Sequence, residues 1–447
     1  MNRKRNWTLI TGYLDEDFKN VLSCLPLEIF LKIIEEADER TTLEKFIEST
    51  GVREKPWHWG NNGLSKNPSI TAAFVDYYID MTHPKVNFPL LNAWIWCDNG
   101  LSANPSITQE FILKYIEKPW IWGKHGLSKN PAITPNFVEY IMENYPNIKW
   151  HWGCGGLSEN PSITQEFILK YIDKPWKWGL YCSLATNPVV TPDFLEHIME
   201  HYPHIKFLWR CGGLSSNKSI TSEFVLKHIA RPWNWGVFGL SKNPAIKPEF
   251  VEYIMKNNNY PYIKWYWGKN GLSSNPSITP EFIIRHLDEE WCWNGGKESL
   301  SANPAVTPDF LEFIMFISTQ YSIEKPQNKH FEYYMNYYNK FAPSNSNLSI
   351  ELTWGYGVSL NPSITLEFIK THLDQEWNWR ELSSNPCITP EIVERFIDGP
   401  WHWGQFGLSE NPSITPKFIR RHPEKPWVYG HMGISANTFN KKRKFNF

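Results

Sequence analysis

The stretch PWNWGVFGLSKNPAIKPEF, Pro232 to Phe250, decides how the whole chain reads, because it recurs. The same skeleton appears as PWIWGKHGLSKNPAITPNF from Pro119 and as PWHWGQFGLSENPSITPKF from Pro400. With the Asn of LSxNP as marker, intact or degenerate copies fall at Asn67, Asn104, Asn130, Asn160, Asn187, Asn217, Asn243, Asn275, Asn303, Asn361, Asn385, Asn411 and Asn437. Spacings of this size mark an array in which each unit packs on its neighbours. Short units ending like QEFILKYIEKPWIWG alternate with long ones ending like NFVEYIMENYPNIKWHWG through the middle of the chain.

Within SITPEFIIRHL (Ser277 to Leu287), Thr279 suits an N-cap and Pro280 the first helical position, where its missing N–H is harmless. Glu281 complements the helix dipole, and Phe282, Ile283, Ile284 and Leu287 form an apolar stripe. Helices end before Pro in copies such as IEKPW (Ile116 to Trp120). The spacing therefore predicts a helix of two to three turns per unit. The other half, WNWGVFGLSKN, reads best as a second short helix from the Trp pair to LS, broken by Asn-Pro, with a brief extended stretch at WNW as the alternative. EWNWRELSSNP (Glu376 to Pro386), which lacks both glycines, reads as a plain helical turn.

Such short helices are marginal alone and need stacking. The pairs Trp120/Trp122, Trp176/Trp178, Trp233/Trp235 and Trp401/Trp403 are expected to form the structural core between repeats. Asn and Ser are expected to cap and turn the chain between helices. The predicted fold is an all-α solenoid of about thirteen short helical-hairpin repeats with an N-terminal helical cap. Residues 1–51 lie before the repeats, 52–315 and 351–437 carry them, and 316–350 is an insertion or degenerate unit with a Tyr-rich helix. Residues 438–447 form a basic tail that reads either as a solvated terminus or as a nuclear import signal. PWVYGHMGISANTFN, the last unit, loses its second Trp and its Asn-Pro, as expected of a terminal cap.

The chain has 447 residues, 41% hydrophobic and 20% charged, with 24 Trp, 20 Tyr and 26 Phe. With 45 basic and 46 acidic residues it offers no overall pull on nucleic acid, so stacking on single-stranded bases is not expected. Neither a signal peptide nor a long apolar span is apparent, and an intracellular, soluble protein is expected. The seven cysteines, Cys24, Cys97, Cys154, Cys182, Cys211, Cys292 and Cys387, lack a C-x-x-C pair and fit free thiols. HIMEH (His197 to His201) matches a zinc-protease pattern, but the sister helices read YIMEN and YIMKN, so the skeleton is the repeat's own. GCGG (Gly153 to Gly156) sits in a repeat turn and does not lead a strand into a helix, and no GxSxG elbow appears. No catalysis, metal, cofactor or small-molecule substrate is expected.

The tandem PWxWGxxGLSxNPSITPEF skeleton resembles the tryptophan-rich repeats of uncharacterised proteins of giant DNA viruses of amoebae, over nearly all of residues 52–437. That resemblance implies a viral protein acting in host cytoplasm or packaged in a virion, without implying an activity. LPLEIFLKIIEEADERTTLEKFIES (Leu25 to Ser49) resembles the start of an F-box, with Leu25, Pro26, Glu28, Ile29 and Ile33 matching LPxEIxxxI, and Leu43 and Phe46 standing for later core positions. It implies binding of a Skp-type ubiquitin-ligase adaptor at those residues, while the repeats hold a target. An amphipathic capping helix has the same apolar spacing, so both readings stand. The expected function is non-catalytic protein binding, with a structural or virion-associated scaffold as the alternative. Exposed aromatics are the usual interface anchors, which makes Tyr333, Tyr334, Tyr337 and Tyr338 of the insertion the candidate partner-binding residues.

Overall fold

The computed structural model describes residues 40–51, 55–80, 94–179, 183–319, 325–343, 350, 352 and 354–439. Among them every regular element is helical, in an α-solenoid of repeated units. Helix α1 (Thr42–Thr50) precedes the first marker. Long helices α2 (Ala72–Asp80), α4 (Pro135–Asn144), α6 (Pro192–His201), α8 (Pro248–Lys256) and α10 (Pro308–Ser318) alternate with short ones, α3 (Gln109–Lys114), α5 (Gln165–Lys170), α7 (Ser222–Lys227) and α9 (Pro280–Arg285). Then come the Tyr-rich α11 (Phe331–Phe341), α12 (Leu366–Thr371), α13 (Trp379–Ser384), α14 (Pro390–Arg395) and α15 (Pro416–Arg421).

The unit of Asn130 shows how sequence makes the repeat. Thr134 caps α4 by accepting the Phe137 N–H at 3.4 Å, with Pro135 in the first turn. Phe137, Val138 and Ile141 face inward, where they meet Leu127 and Ile133. The preceding half is not the favoured second helix but follows the alternative. Trp120 to Trp122 is extended, and helix is confined to one 3-10 turn, Leu127–Lys129. The reason is geometric: residues two apart point to different sides of a helix but to the same side of an extended segment. Both tryptophans can face the core only if the chain is stretched. The exception is α13, the copy without glycines, where a helix does start at the second Trp. Gly126 is required for a different reason. The Leu127 N–H donates to the Ile121 carbonyl at 2.7 Å, and a Cβ on Gly126 would lie 1.9 Å from that oxygen.

The marker residues do more than turn the chain. Each of the thirteen asparagines is buried, and its Nδ2 donates to a backbone carbonyl of the preceding unit. Asn130, for example, reaches Ser102 and Asn104, both at 3.0 Å. Its Oδ1 accepts the Ala132 N–H at 2.9 Å, which fixes the Asn-Pro turn. The Ser before it works in the other direction: Ser102 Oγ accepts the Ile121 N–H of the next unit at 3.0 Å and donates to the Trp96 carbonyl. Tryptophans complete the joint. The second Trp of one unit meets the first Trp of the next edge to face, as in Trp96–Trp120 at 4.7 Å and 88°, or Trp152–Trp176 at 5.0 Å and 87°. Each pair is thus a two-ended connector.

The same joint links the last unit to the first. Tyr429 meets Trp57 at 5.3 Å and 89°. The His58 N–H donates to Ser435 Oγ at 3.0 Å, and Asn67 Nδ2 donates to the carbonyls of Ser435 and Asn437 at 2.9 and 3.1 Å. The solenoid is a closed ring of thirteen units. Helix α1 sits where the thirteenth unit's helix belongs, against α15 on one side and α2 on the other. Its N-cap Thr41 precedes Trp57 by 16 residues, as Thr134 precedes Trp150. Phe46 packs on Trp57 at 6.0 Å and 87° and on Phe439 at 5.7 Å. The N-terminal helix does cap the array, but the end it covers belongs to both ends at once. The last unit, for its part, lies within the ring, with Tyr429 doing the missing tryptophan's work.

Candidate interaction surface

The joints between units take up the tryptophan pairs, so an interaction surface has to be found among the aromatics left over. Trp120, Trp176, Trp233 and Trp401 are buried, and their partners Trp122, Trp178, Trp235 and Trp403 pack against the same core. All eight belong to the joints between units.

The insertion follows from α10. That helix buries Phe310, Leu311, Phe313, Ile314 and Ile317, a wider apolar face than α4, α6 or α8 carries. Helix α11 covers the excess. Phe331 stacks edge-on to Phe316 at 5.1 Å, and Tyr334 lies 5.2 Å from Phe310 and 5.6 Å from Phe313. Tyr338 rests on Phe313 at 6.0 Å. Tyr334 is therefore a core residue and cannot anchor a partner, and burial pushes its phenol above the ordinary range.

The opposite edge of α11 is open. Tyr333 is 50% and Phe341 42% exposed, and with half-buried Tyr337 between them they form a stripe with ring centroids 6.2 and 4.5 Å apart. Polar contacts hold this stripe still. The Tyr333 hydroxyl donates to Glu281 at 3.0 Å, and the Arg285 guanidinium donates to the Tyr337 hydroxyl. Arg285 also donates to Glu252 at 2.7 Å, so α8, α9 and α11 are tied in one line. Glu252 is partly desolvated, which would raise its carboxyl, but hydrogen bonds from Arg285 and Lys256 hold it below the ordinary value. Sequence spacing alone did not single out Phe341, although its i, i+4, i+8 relation to Tyr333 and Tyr337 was there to be read.

A second set of exposed aromatics lies in the GxxG loops. Phe238 and Phe406 are 49% and 43% exposed at φ of 55° and 56°, a left-handed conformation that is costly for bulky side chains. Each ring carries a cation, Lys242 Nζ at 5.5 Å and Arg380 at 4.9 Å. The variable position of LSxN reaches neighbouring loops. Lys242 donates to Asn270 Oδ1 at 3.0 Å and to Glu298 at 2.6 Å, and Ser274 Oγ donates to the Glu298 carbonyl at 2.7 Å.

Leu25, Pro26, Glu28, Ile29 and Ile33 lie outside the described residues. Leu43 and Phe46 are buried at the ring junction. His197 and His201 are stacked at 4.3 Å on the surface of α6, and among the described residues no three His, Cys, Asp or Glu side chains are grouped to hold a metal. Cys97, Cys154 and Cys292 are free thiols of intermediate exposure. Cys387 takes the place of the Ser in NPSIT, where burial pushes its thiol up to about 12. No described helix is long and apolar enough to cross a membrane. No protein-family model, curated protein or solved structure matches the chain.

Proposed function

We propose that this chain is a non-catalytic protein-binding ring of viral type, acting in the host cytoplasm. The observation that carries the reading is the division of labour among its aromatics. Tryptophans form the internal joints, while Tyr333 and Tyr337 are held outward by Glu281 and Arg285, with Phe341 against Tyr337. Rigid exposed aromatics are the usual anchors of protein interfaces.

The sharper form is an F-box-like adaptor that recruits a target to a ubiquitin ligase through Leu25, Pro26, Glu28, Ile29 and Ile33. Its support is the sequence resemblance. Because Leu43 and Phe46 are engaged in closing the ring, an adaptor would have to be held by the residues before α1. The test is a titration of the full chain against a purified Skp-type adaptor, with Leu25→Ala, Pro26→Ala and Ile29→Ala combined as control. Saturable binding lost in the triple variant supports the ligase link. No binding by a well-folded chain removes that link and leaves a ring-shaped scaffold.

A further inference from the structure

Twelve of the thirteen joints are continuous with the chain, and the one between Asn437 and Asn67 is not. At that joint, and among the described residues there alone, two imidazoles stack across a unit boundary. The rings of His58 and His431 lie 5.3 Å apart with an interplanar angle of 15°. We propose that this pair is an acid-sensitive latch: protonation places two like charges face to face and loosens the junction, so the closed ring becomes an open solenoid.

Four observations bear on it. Both rings are half-buried, so water screens the charges incompletely. His58 Nε2 lies 2.9 Å from the Asn61 carbonyl, and His431 Nδ1 is buried with no protein partner. The charged and titratable groups on the flanking segments are Lys55, Lys66, Arg380, His402, Cys97, Asp98 and Glu410, of which only Asp98 and Glu410 are carboxylates. Lys55 stands over the Tyr429 ring at 5.1 Å, Arg380 over Phe406 at 4.9 Å, and His402 contacts the Gln405 carbonyl at 2.8 Å. On the next loop are Cys97, 3.4 Å from Asn61 Oδ1, and Asp98; among the described residues no carboxylate forms an ion pair with either ring. Finally, the repeats show that the pair is dispensable for the fold. Asn234 and Asn378 occupy the position of His58 in other units, and Gln405 that of His431. Asn234 Nδ2 even donates to the Val237 carbonyl, as His58 meets that of Asn61. Histidine gains its charge between pH 7 and 5, the window in which such switches act.

The experiment is hydrogen exchange of the full chain at pH 7.5 and 5.0, expressed as protection relative to intrinsic rates. Protection of α1 amides is expected to fall at least about tenfold at pH 5.0 while α4 amides change little. His58→Asn with His431→Gln should abolish the selective loss in α1. His431→Gln alone, the milder change, serves if the double variant folds poorly. Equal loss of protection in α1 and α4, unchanged protection in α1, or a selective loss that survives the substitutions would each overturn the proposal.

Discussion

Asn67 is hydrogen bonded through Nδ2 to the carbonyls of Ser435 and Asn437, residues 368 and 370 positions later in the chain. The geometry matches that of Asn130 on Ser102 and Asn104, where the separation is 28 and 26. One bond type thus serves neighbours in sequence and the most distant described parts of the chain alike. It follows that Asn67→Ala and Asn130→Ala, equal in chemistry, will differ in consequence. Each removes a buried donor from two carbonyls and costs about 1–3 kcal/mol. Asn67→Ala should release α1 first, seen as cleavage near residue 52 by limited proteolysis with the remaining units protected, whereas Asn130→Ala should lower the midpoint of global unfolding.

The tryptophans offer a paired test. In the short units the indole N–H donates to a carbonyl at the end of the helix, as Trp176 Nε1 does to Tyr171 at 2.8 Å. In the long units the helix runs further, and the indole nitrogens of Trp94, Trp150 and Trp265 have no protein acceptor. One long unit already carries Phe207 at this position. Trp176→Phe is expected to cost about 1–2 kcal/mol beyond any packing loss. Trp150→Phe should lie about 1 kcal/mol closer to the wild type in urea unfolding.

Two units break the chain's own rules and can be repaired. Lys247 caps α8 with no side-chain bond where the other regular units have Thr, and Ala185 stands where a Ser would bond the next unit. Lys247→Thr and Ala185→Ser should each raise stability by about 1 kcal/mol, measured by thermal or urea denaturation.

Acid should weaken the α8–α9 contact in two stages. Burial, the main cause, holds the His286 imidazole below its ordinary 6.5, so the unfolded chain takes up this proton first. Stability is full above 6.5 and begins to fall as pH drops through it. Glu252, which burial would raise but hydrogen bonds from Arg285 and Lys256 hold below 4.5, adds a second loss below that value, and Glu196, held down by Lys227 and His228, adds a like loss at the α6–α7 contact. His286→Phe, which copies Phe396 at the equivalent position, should flatten the first stage only, as read from urea midpoints between pH 7.5 and 5.5.

Much of this was legible in the sequence. A Thr cap, often followed by Pro, and a pair of apolar residues announced most of the repeat helices, and the period announced the stacking. The Trp pair was harder because WxW admits a helical reading until one requires both indoles to face the same side. Asn and Ser were placed correctly in turns, but nothing local says that their free hydrogen-bonding groups reach a neighbouring unit. Closure was the least visible feature. Its trace was the Thr41-to-Trp57 spacing, which makes α1 a unit's helix, yet α1 buries Leu43, Phe46 and Ile47 in a register of its own. In the insertion, composition pointed to four tyrosines, and only packing against α10 could separate Tyr334 from Tyr333.

The alternation of long and short helices now meets a constraint of parity. Two colours can alternate without fault around an even circle, never around an odd one. With thirteen units, the number of like neighbours must itself be odd. The ring has three such pairs: short beside short at α12–α14 and α14–α15, and long beside long where α1 meets α2. Inserting or deleting one unit would therefore create or heal a mismatch. Inserting or deleting a long–short pair leaves the mismatches unchanged, so related rings should differ in size by twos.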